Sequence, residues 1–105
     1  MSIYDEIYWL IRELSPISKR PYMYRLRKAL GLLVYVLDTC KTQKILSALD
    51  ELKKVLVEKG LDKYIEAVDK YYKHIEKGDY ECKPLTTTYR GNTVCVEELD
   101  ECFPF

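Results

Sequence analysis

The chain has 105 residues, of which 48% are hydrophobic and 32% are charged, a balance that suits one globular domain and excludes a disordered chain. Its 17 basic and 17 acidic residues cancel, which argues against the strongly basic class of nucleic-acid binders. The apolar run at 29–37 is too short to cross a bilayer, which takes about 20 residues, and the N-terminus lacks the basic start of a secretory signal. We therefore expect a single domain, residues 1–105, in the cytoplasm and away from membranes.

The first predicted element is a helix over residues 3–14. Ser2 is a suitable N-cap, and Pro16 is expected to end the helix because it restricts the residue before it. Five aliphatic residues recur at helical spacing and define one buried face. They are Ile3, Ile7, Leu10, Ile11 and Leu14.

The same helix has a second, aromatic side formed by Tyr4 and Tyr8, with Trp9 at its edge. Because the aliphatic face already supplies the core, this aromatic side needs another surface to cover it. That surface could be a later part of the same chain or a second copy. The two-sided helix is the main reason to expect a homodimer with Tyr4, Tyr8 and Trp9 at its interface.

The second helix is predicted over residues 21–39, with Pro21 in its first turn, where the missing N–H costs nothing. Its stretch from Ala29 to Leu37 is apolar on every side apart from Gly31, which is typical of a fully buried helix. We expect this helix to lie at the centre of the fold. An interior glycine costs about 1 kcal/mol against alanine, so Gly31 suggests a close helix–helix crossing.

Two further helices are predicted over 42–59 and 62–77. The first carries an apolar stripe, and Gly60 is a suitable residue just past its end. The connection is so short that the two helices should form an antiparallel hairpin. In the second of these helices, the tyrosines at 64, 71 and 72 are expected to belong to the core.

Residues 85–97 change to the pattern of a β-hairpin. Gly91 and Asn92 suit a two-residue type II′ turn, which pairs Thr87 with Val96 and Tyr89 with Val94. The apolar C-terminus at 102–105 is expected to dock on this chain or a neighbouring one. The fold class is therefore mainly α: a small four-helix, bundle-like domain with a C-terminal β-hairpin as its minor β part.

The four cysteines contain no C-x-x-C motif, so neither a zinc ribbon nor a thioredoxin-like site is expected. Extending the hairpin register brings Cys82 close to Cys102, and a disulfide there would join the two ends of the hairpin. Free thiols are the main alternative, and a metal site is a weaker one. We expect no metal and no cofactor.

A basic and aromatic cluster surrounds the start of the second helix, where positive side chains oppose the helix dipole. Its members are Lys19, Arg20, Tyr22, Tyr24, Arg25, Arg27 and Lys28. A phosphate could compensate the charge, since arginine and tyrosine at a helix start bind and stack on nucleic acid. The other candidates are a partner protein and the acidic tail of the chain itself, which consists of Glu97, Glu98, Asp100 and Glu101.

No pattern in the sequence brings a nucleophile and a base together, and His74 reads as an exposed helical residue. The chain has one Asn and one Gln among many Lys and Glu residues, a composition that favours a thermophilic source. We therefore predict a small non-catalytic interaction or adaptor protein that forms a homodimer, with another protein as a further possible partner. The alternative is a nucleic-acid-binding protein that uses the basic helix start at 19–28.

Overall fold

The computed structural model describes residues 2–85 and 87–104, and this part of the chain is mainly α with a small antiparallel sheet, as predicted. Met1, Thr86 and Phe105, which fall in the predicted domain, hairpin and C-terminal segment, lie outside the described residues. The helices are α1 (Ile3–Ser18), α2 (Tyr24–Thr39), α3 (Thr42–Glu58) and α4 (Ile65–Glu76). The strands are β1 (Thr87–Arg90), β2 (Thr93–Val96) and β3 (Glu101–Pro104). Within the described ranges, no helix is both long and apolar enough to span a membrane.

Helix α1 runs four residues beyond its predicted end, so the prediction that Pro16 stops it is wrong. Ser2 caps the start, its hydroxyl accepting the backbone N–H of Asp5 at 3.2 Å. Pro16 lies inside the last turn, where the hydroxyl of buried Ser15 donates to the Ile11 carbonyl at 2.9 Å. A proline removes only one helical N–H, so a last turn with such side-chain hydrogen bonds can stay helical.

Helix α2 is the centre of the fold, as the sequence predicts, and it contacts α1, α3, β2 and β3. Gly31 allows a close approach there, but the neighbour is a strand and not the helix expected from the sequence. A Cβ at Gly31 would lie 2.7 Å from Phe103 Cβ and 2.9 Å from the Pro104 carbonyl oxygen. The missing side chain therefore lets β3 lie directly on the central helix.

The predicted hairpin of α3 and α4 is present, and Gly60 forms its corner. Gly60 has a φ of +71°, a backbone conformation that glycine adopts without strain. The Leu61 N–H donates to the Leu56 carbonyl at 2.9 Å, and the Gly60 N–H donates to the Val57 carbonyl at 3.2 Å. This pair of bonds is the Schellman ending, which satisfies carbonyls that the helix leaves open. Both α4 and the preceding 3-10 turn, Asp62–Tyr64, then pack back along α3.

The register predicted for the hairpin is correct: Thr87 pairs with Val96 and Tyr89 pairs with Val94. Gly91 has a φ of +62° and Asn92 does not have a positive φ, as a type II′ turn requires. The third strand was not predicted. After a 3-10 turn, Glu97–Leu99, the chain reverses and β3 pairs with β2 antiparallel. Phe103 is fully buried against the central helix, so the C-terminal segment docks on its own chain.

The predicted disulfide between Cys82 and Cys102 is wrong, because each of these two cysteines is bonded to a different partner. Strand β3 instead places Cys102 directly opposite Cys95, and these two are bonded. Cys82 is bonded to Cys40, which follows the end of α2. All four cysteines are thus paired, in combinations other than the predicted one.

Candidate functional site

The basic cluster lies around the turn between α1 and α2, as its position in the sequence implies. Pro21 opens a 3-10 turn, and α2 starts at Tyr24. Both tyrosines of the cluster face solvent: Tyr22 is 61% exposed and Tyr24 is 53% exposed. Both rings are therefore accessible to a ligand or a partner.

Two of the cations are paired with acids of the same chain. Lys19 Nζ lies 2.8 Å from Glu101 Oε1, so the acidic tail provides part of the compensation, as one of the alternatives predicts. Arg25 forms an ion pair and hydrogen bond with Glu58 at the end of α3. These pairs reduce the charge that the cluster offers to an outside anion.

The two other arginines make contacts within the cluster and with α1. Arg27 Nε donates to the Ser18 carbonyl at 3.0 Å, and its guanidinium carbon lies 5.9 Å from the centre of the Tyr24 ring. Arg20 donates to the Tyr22 hydroxyl at 3.3 Å. Arg27 therefore holds the end of α1 against the start of α2, which is a structural role.

A groove of about 720 Å³ opens between α2, α3 and the turn between β1 and β2. Three members of the basic cluster contribute to its wall, and its lining is mostly apolar. The lining residues are Tyr24, Arg25, Lys28, Ala29, Leu32, Glu51, Val55 and Asn92. We call this feature the α2–α3 groove.

The rim of the α2–α3 groove has opposite charges on its two sides. Lys28 stands on α2 and Glu51 stands on α3. Across residues 2–85 and 87–104, neither of these two side chains has an ion-pair partner. The groove therefore offers one cation and one acid to a ligand, with apolar surface between them.

The lining is suited to apolar contact with a ligand. No serine, cysteine or histidine is among the described residues that form the groove. Its floor contains Ala29, Leu32 and Val55, which offer van der Waals contact and no reactive group. Apolar contact flanked by charge and an exposed tyrosine is the usual composition of an interaction surface.

The aromatic side of α1 does not face outward, so the prediction that Tyr4 and Tyr8 form a dimer interface is wrong. Tyr4 is fully buried and Tyr8 is 7% exposed. The Tyr4 hydroxyl donates to the Leu37 carbonyl at 2.8 Å, and its ring stacks on Tyr80 at 5.9 Å. The segment after α4 covers this side within one chain. Of the three predicted interface residues, only Trp9 is exposed, at 58%.

The buried tyrosines predict a loss of stability in alkaline solution. Burial raises the pKa of Tyr8 to about 12, and burial also raises the pKa of Tyr4. A phenol whose pKa is higher in the folded than in the unfolded state stabilises the fold fully below its unfolded pKa of about 10. That stabilisation is lost as the pH rises from about 10 through the folded value. Urea unfolding midpoints between pH 9 and pH 12 should fall, and Tyr8→Phe should reduce the slope.

The matched control for this alkaline effect is Tyr22→Phe, because Tyr22 is exposed. This variant should leave the pH dependence of the urea midpoint unchanged. An equal reduction of slope in the two variants would contradict the assignment of the effect to buried phenols.

His74 is half-buried rather than exposed, near the end of α4. Its Nδ1 lies 3.4 Å from Asp79 Oδ2, and its carbonyl accepts the Asp79 N–H at 3.0 Å. Both contacts hold the chain reversal after α4. Among the described residues, no group of three His, Cys, Asp or Glu side chains could hold a metal ion.

Sequence reasoning identified Tyr24, Arg25 and Lys28 but missed the rest of the α2–α3 groove. Glu51 and Val55 come from α3, and Asn92 comes from the hairpin turn, so only the tertiary fold brings them together. No model of a known protein family, no curated protein and no solved structure matches this chain. A proposal for the function therefore rests on the geometry of the α2–α3 groove.

Proposed function

We propose that the chain is a non-catalytic interaction protein that binds an apolar, acid-containing segment of a partner protein in the α2–α3 groove. The observation that carries the proposal is the open, mostly apolar groove of about 720 Å³ beside an exposed Tyr24. Segments with apolar anchors bind in such grooves, and tyrosine is enriched among the residues that dominate binding.

Charge selects the kind of segment. Lys28 on α2 attracts an acid of the partner, and Glu51 on α3 attracts a base. The backbone of a nucleic acid is negatively charged and would be repelled by Glu51, while Glu58 already neutralises Arg25. The mixed rim therefore favours a protein segment over nucleic acid.

The test is a selection of phage-displayed random peptides on the oxidised full chain, followed by calorimetry with the selected peptides. We expect these peptides to combine apolar residues with an acid that pairs with Lys28 and a base that pairs with Glu51. Tyr24→Ala and Lys28→Glu should each weaken binding by about tenfold or more, equal to about 1.4 kcal/mol of binding free energy. Trp9→Ala is the matched control for the tyrosine, since Trp9 is equally exposed and lies outside the groove. Lys44→Glu is the control for the charge reversal, because Lys44 is exposed on α3 and forms no ion pair among the described residues.

Two results would overturn the proposal. In the first, the groove variants Tyr24→Ala and Lys28→Glu bind every selected peptide as tightly as their control variants do. In the second, oligothymidylate or single-stranded RNA binds with steep salt dependence, and the binding fades in Arg25→Ala and Arg27→Ala. That second result would favour the nucleic-acid alternative.

Self-association, a thermophilic source and a cytoplasmic location stay predictions. Self-association now needs a surface other than the buried pair Tyr4 and Tyr8. Two disulfides fit an oxidising compartment, and they also fit the cytoplasm of a hyperthermophile.

A further inference from the structure

The segment between α4 and the sheet, residues 78–85, lies as a strap over the aromatic side of α1. Among the described residues, 80–85 form no hydrogen bond between backbone groups. The Leu85 N–H instead donates to the Tyr8 hydroxyl at 3.4 Å. The strap is therefore held in place by side chains and not by secondary structure.

Further side-chain contacts fix the strap, among them an ion pair of 3.9 Å between Lys83 Nζ and Asp5 Oδ2 on α1. The Tyr80 ring stacks on Tyr4, and the Tyr80 hydroxyl lies 2.6 Å from Thr42 Oγ1. Cys82 is bonded to Cys40, and its sulfur lies 3.4 Å from the Tyr4 hydroxyl. The disulfide is thus the one covalent tie between the strap and the helices, and it lies beside the buried phenol.

We propose that the Cys40–Cys82 disulfide is a redox latch, and that a dithiol reductant releases the strap and exposes Tyr4 and Tyr8 while the helices stay folded. Cys40 is exposed at the end of α2, so a dithiol can reach it. This latch acts on a different surface from the α2–α3 groove and does not depend on the function proposed there.

The reduction is a thiol–disulfide exchange. One thiolate of the reductant attacks Cys40 Sγ, a mixed disulfide forms, and Cys82 leaves as a thiolate that takes up a proton. The second thiol of the reductant then attacks the reductant sulfur that is bonded to Cys40 Sγ. This step closes the disulfide of the reductant and releases Cys40 as a thiol. Two electrons pass to the protein, and the dithiol becomes a disulfide.

The second disulfide, Cys95–Cys102, provides an internal contrast. It joins β2 and β3, which also share a hydrogen-bonded register, and Phe103 beside it is buried. Reduction there leaves the strands paired. Only the Cys40–Cys82 bond ties down a segment, residues 80–85, that forms no backbone–backbone hydrogen bond among the described residues.

The test compares tyrosine nitration, mapped by mass spectrometry, in the wild-type chain, in Cys40→Ser/Cys82→Ser and in Cys95→Ser/Cys102→Ser. A fourth sample is wild type treated with dithiothreitol and alkylated. We expect Tyr4 and Tyr8 to react about tenfold or more faster in the first double variant and in the reduced sample, because an open strap removes the need for local unfolding. The second double variant should behave like wild type. Exposed Tyr22 and Tyr24 should react alike in all four samples.

Far-UV circular dichroism and thermal unfolding on the same samples establish whether the helices persist. Tyr4 and Tyr8 that remain protected in a folded, latch-free chain would overturn the proposal. Loss of the helical signal together with the latch would also overturn it, since the disulfide would then hold the whole fold together. An equal effect of the two double variants would contradict the specific role of Cys40–Cys82.

Discussion

Removing the Cys40–Cys82 disulfide is expected to lower the free energy of unfolding by about 4 kcal/mol, since it closes a loop of 42 residues. The same chain-entropy argument gives only about 2 kcal/mol for Cys95–Cys102, which are seven residues apart. The difference arises in the unfolded chain, where the longer loop restricts more conformations. Urea unfolding of the two double serine variants measures both effects.

The two double variants serve as controls for each other, because each one replaces two cysteines and retains one disulfide. Equal losses, or a larger loss for Cys95–Cys102, would show that contacts in the folded state outweigh the loop entropy. A loss well beyond about 4 kcal/mol for Cys40–Cys82 would exceed what loop entropy can explain. It would mean that the contacts of Tyr80 and Leu85 with α1 are lost together with the bond.

The difference in loop length also separates the roles of the two disulfides. Cys95–Cys102 strengthens a local strand pair that the backbone already forms. Cys40–Cys82 joins parts of the chain that are distant in sequence, and it determines whether residues 78–85 cover α1. Stability and access to Tyr4 are therefore linked through one bond, which is the physical basis for a redox latch.

The central helix and the hairpin register could be predicted because each has a strong local signal. The stretch from Ala29 to Leu37 is apolar on every side, which predicts a central position, although Leu32 and Tyr35 are only half-buried. Gly91 and Asn92 fix the turn type, and the turn fixes the pairing of Tyr89 with Val94. In both cases the information lies within a few neighbouring residues.

Strand β3 could not be predicted in the same way, and two errors followed from it. Its turn places Asp100 at a φ of +53°, a conformation that non-glycine residues rarely adopt. No glycine marks this turn in the sequence. Without β3, the hairpin register pairs Cys102 with Cys82, and Gly31 suggests a helix crossing. The aromatic side of α1 was misjudged for a related reason, because residues 78–85 have no periodic pattern that reveals what they cover.

The candidate site shows the same limit. The exposed tyrosines and Lys28 could be identified because a charged, aromatic helix start is visible in the sequence. Glu51 and Asn92 could not, since they reach the α2–α3 groove from two other elements. Local residue types suggest that a surface binds a ligand. Only the packing of the helices and the hairpin defines the shape of that surface and adds the negative charge of Glu51.

Replacing Gly31 with alanine is expected to destabilise the chain by about 2 kcal/mol, although alanine is the better helix former. The added Cβ would lie 2.7 Å from Phe103 Cβ and 2.9 Å from the Pro104 carbonyl oxygen. Neither atom is the end of a flexible side chain, so β3 itself must move. Overpacking of this kind costs about 1–3 kcal/mol, and partial exposure of Phe103 adds to it. Thermal or urea unfolding measures the change.

Ser47→Ala is the control for this substitution, because Ser47 is exposed in the middle of α3 and alanine gains helix propensity there without a clash. It should be neutral or slightly stabilising. A Gly31→Ala variant as stable as wild type would show that β3 can retreat freely and that the close approach has no energetic weight. We expect Gly31→Ala to be less stable than wild type. We also expect it to bind groove peptides more weakly, because the sheet that β3 holds against α2 carries Asn92 at the rim of the α2–α3 groove.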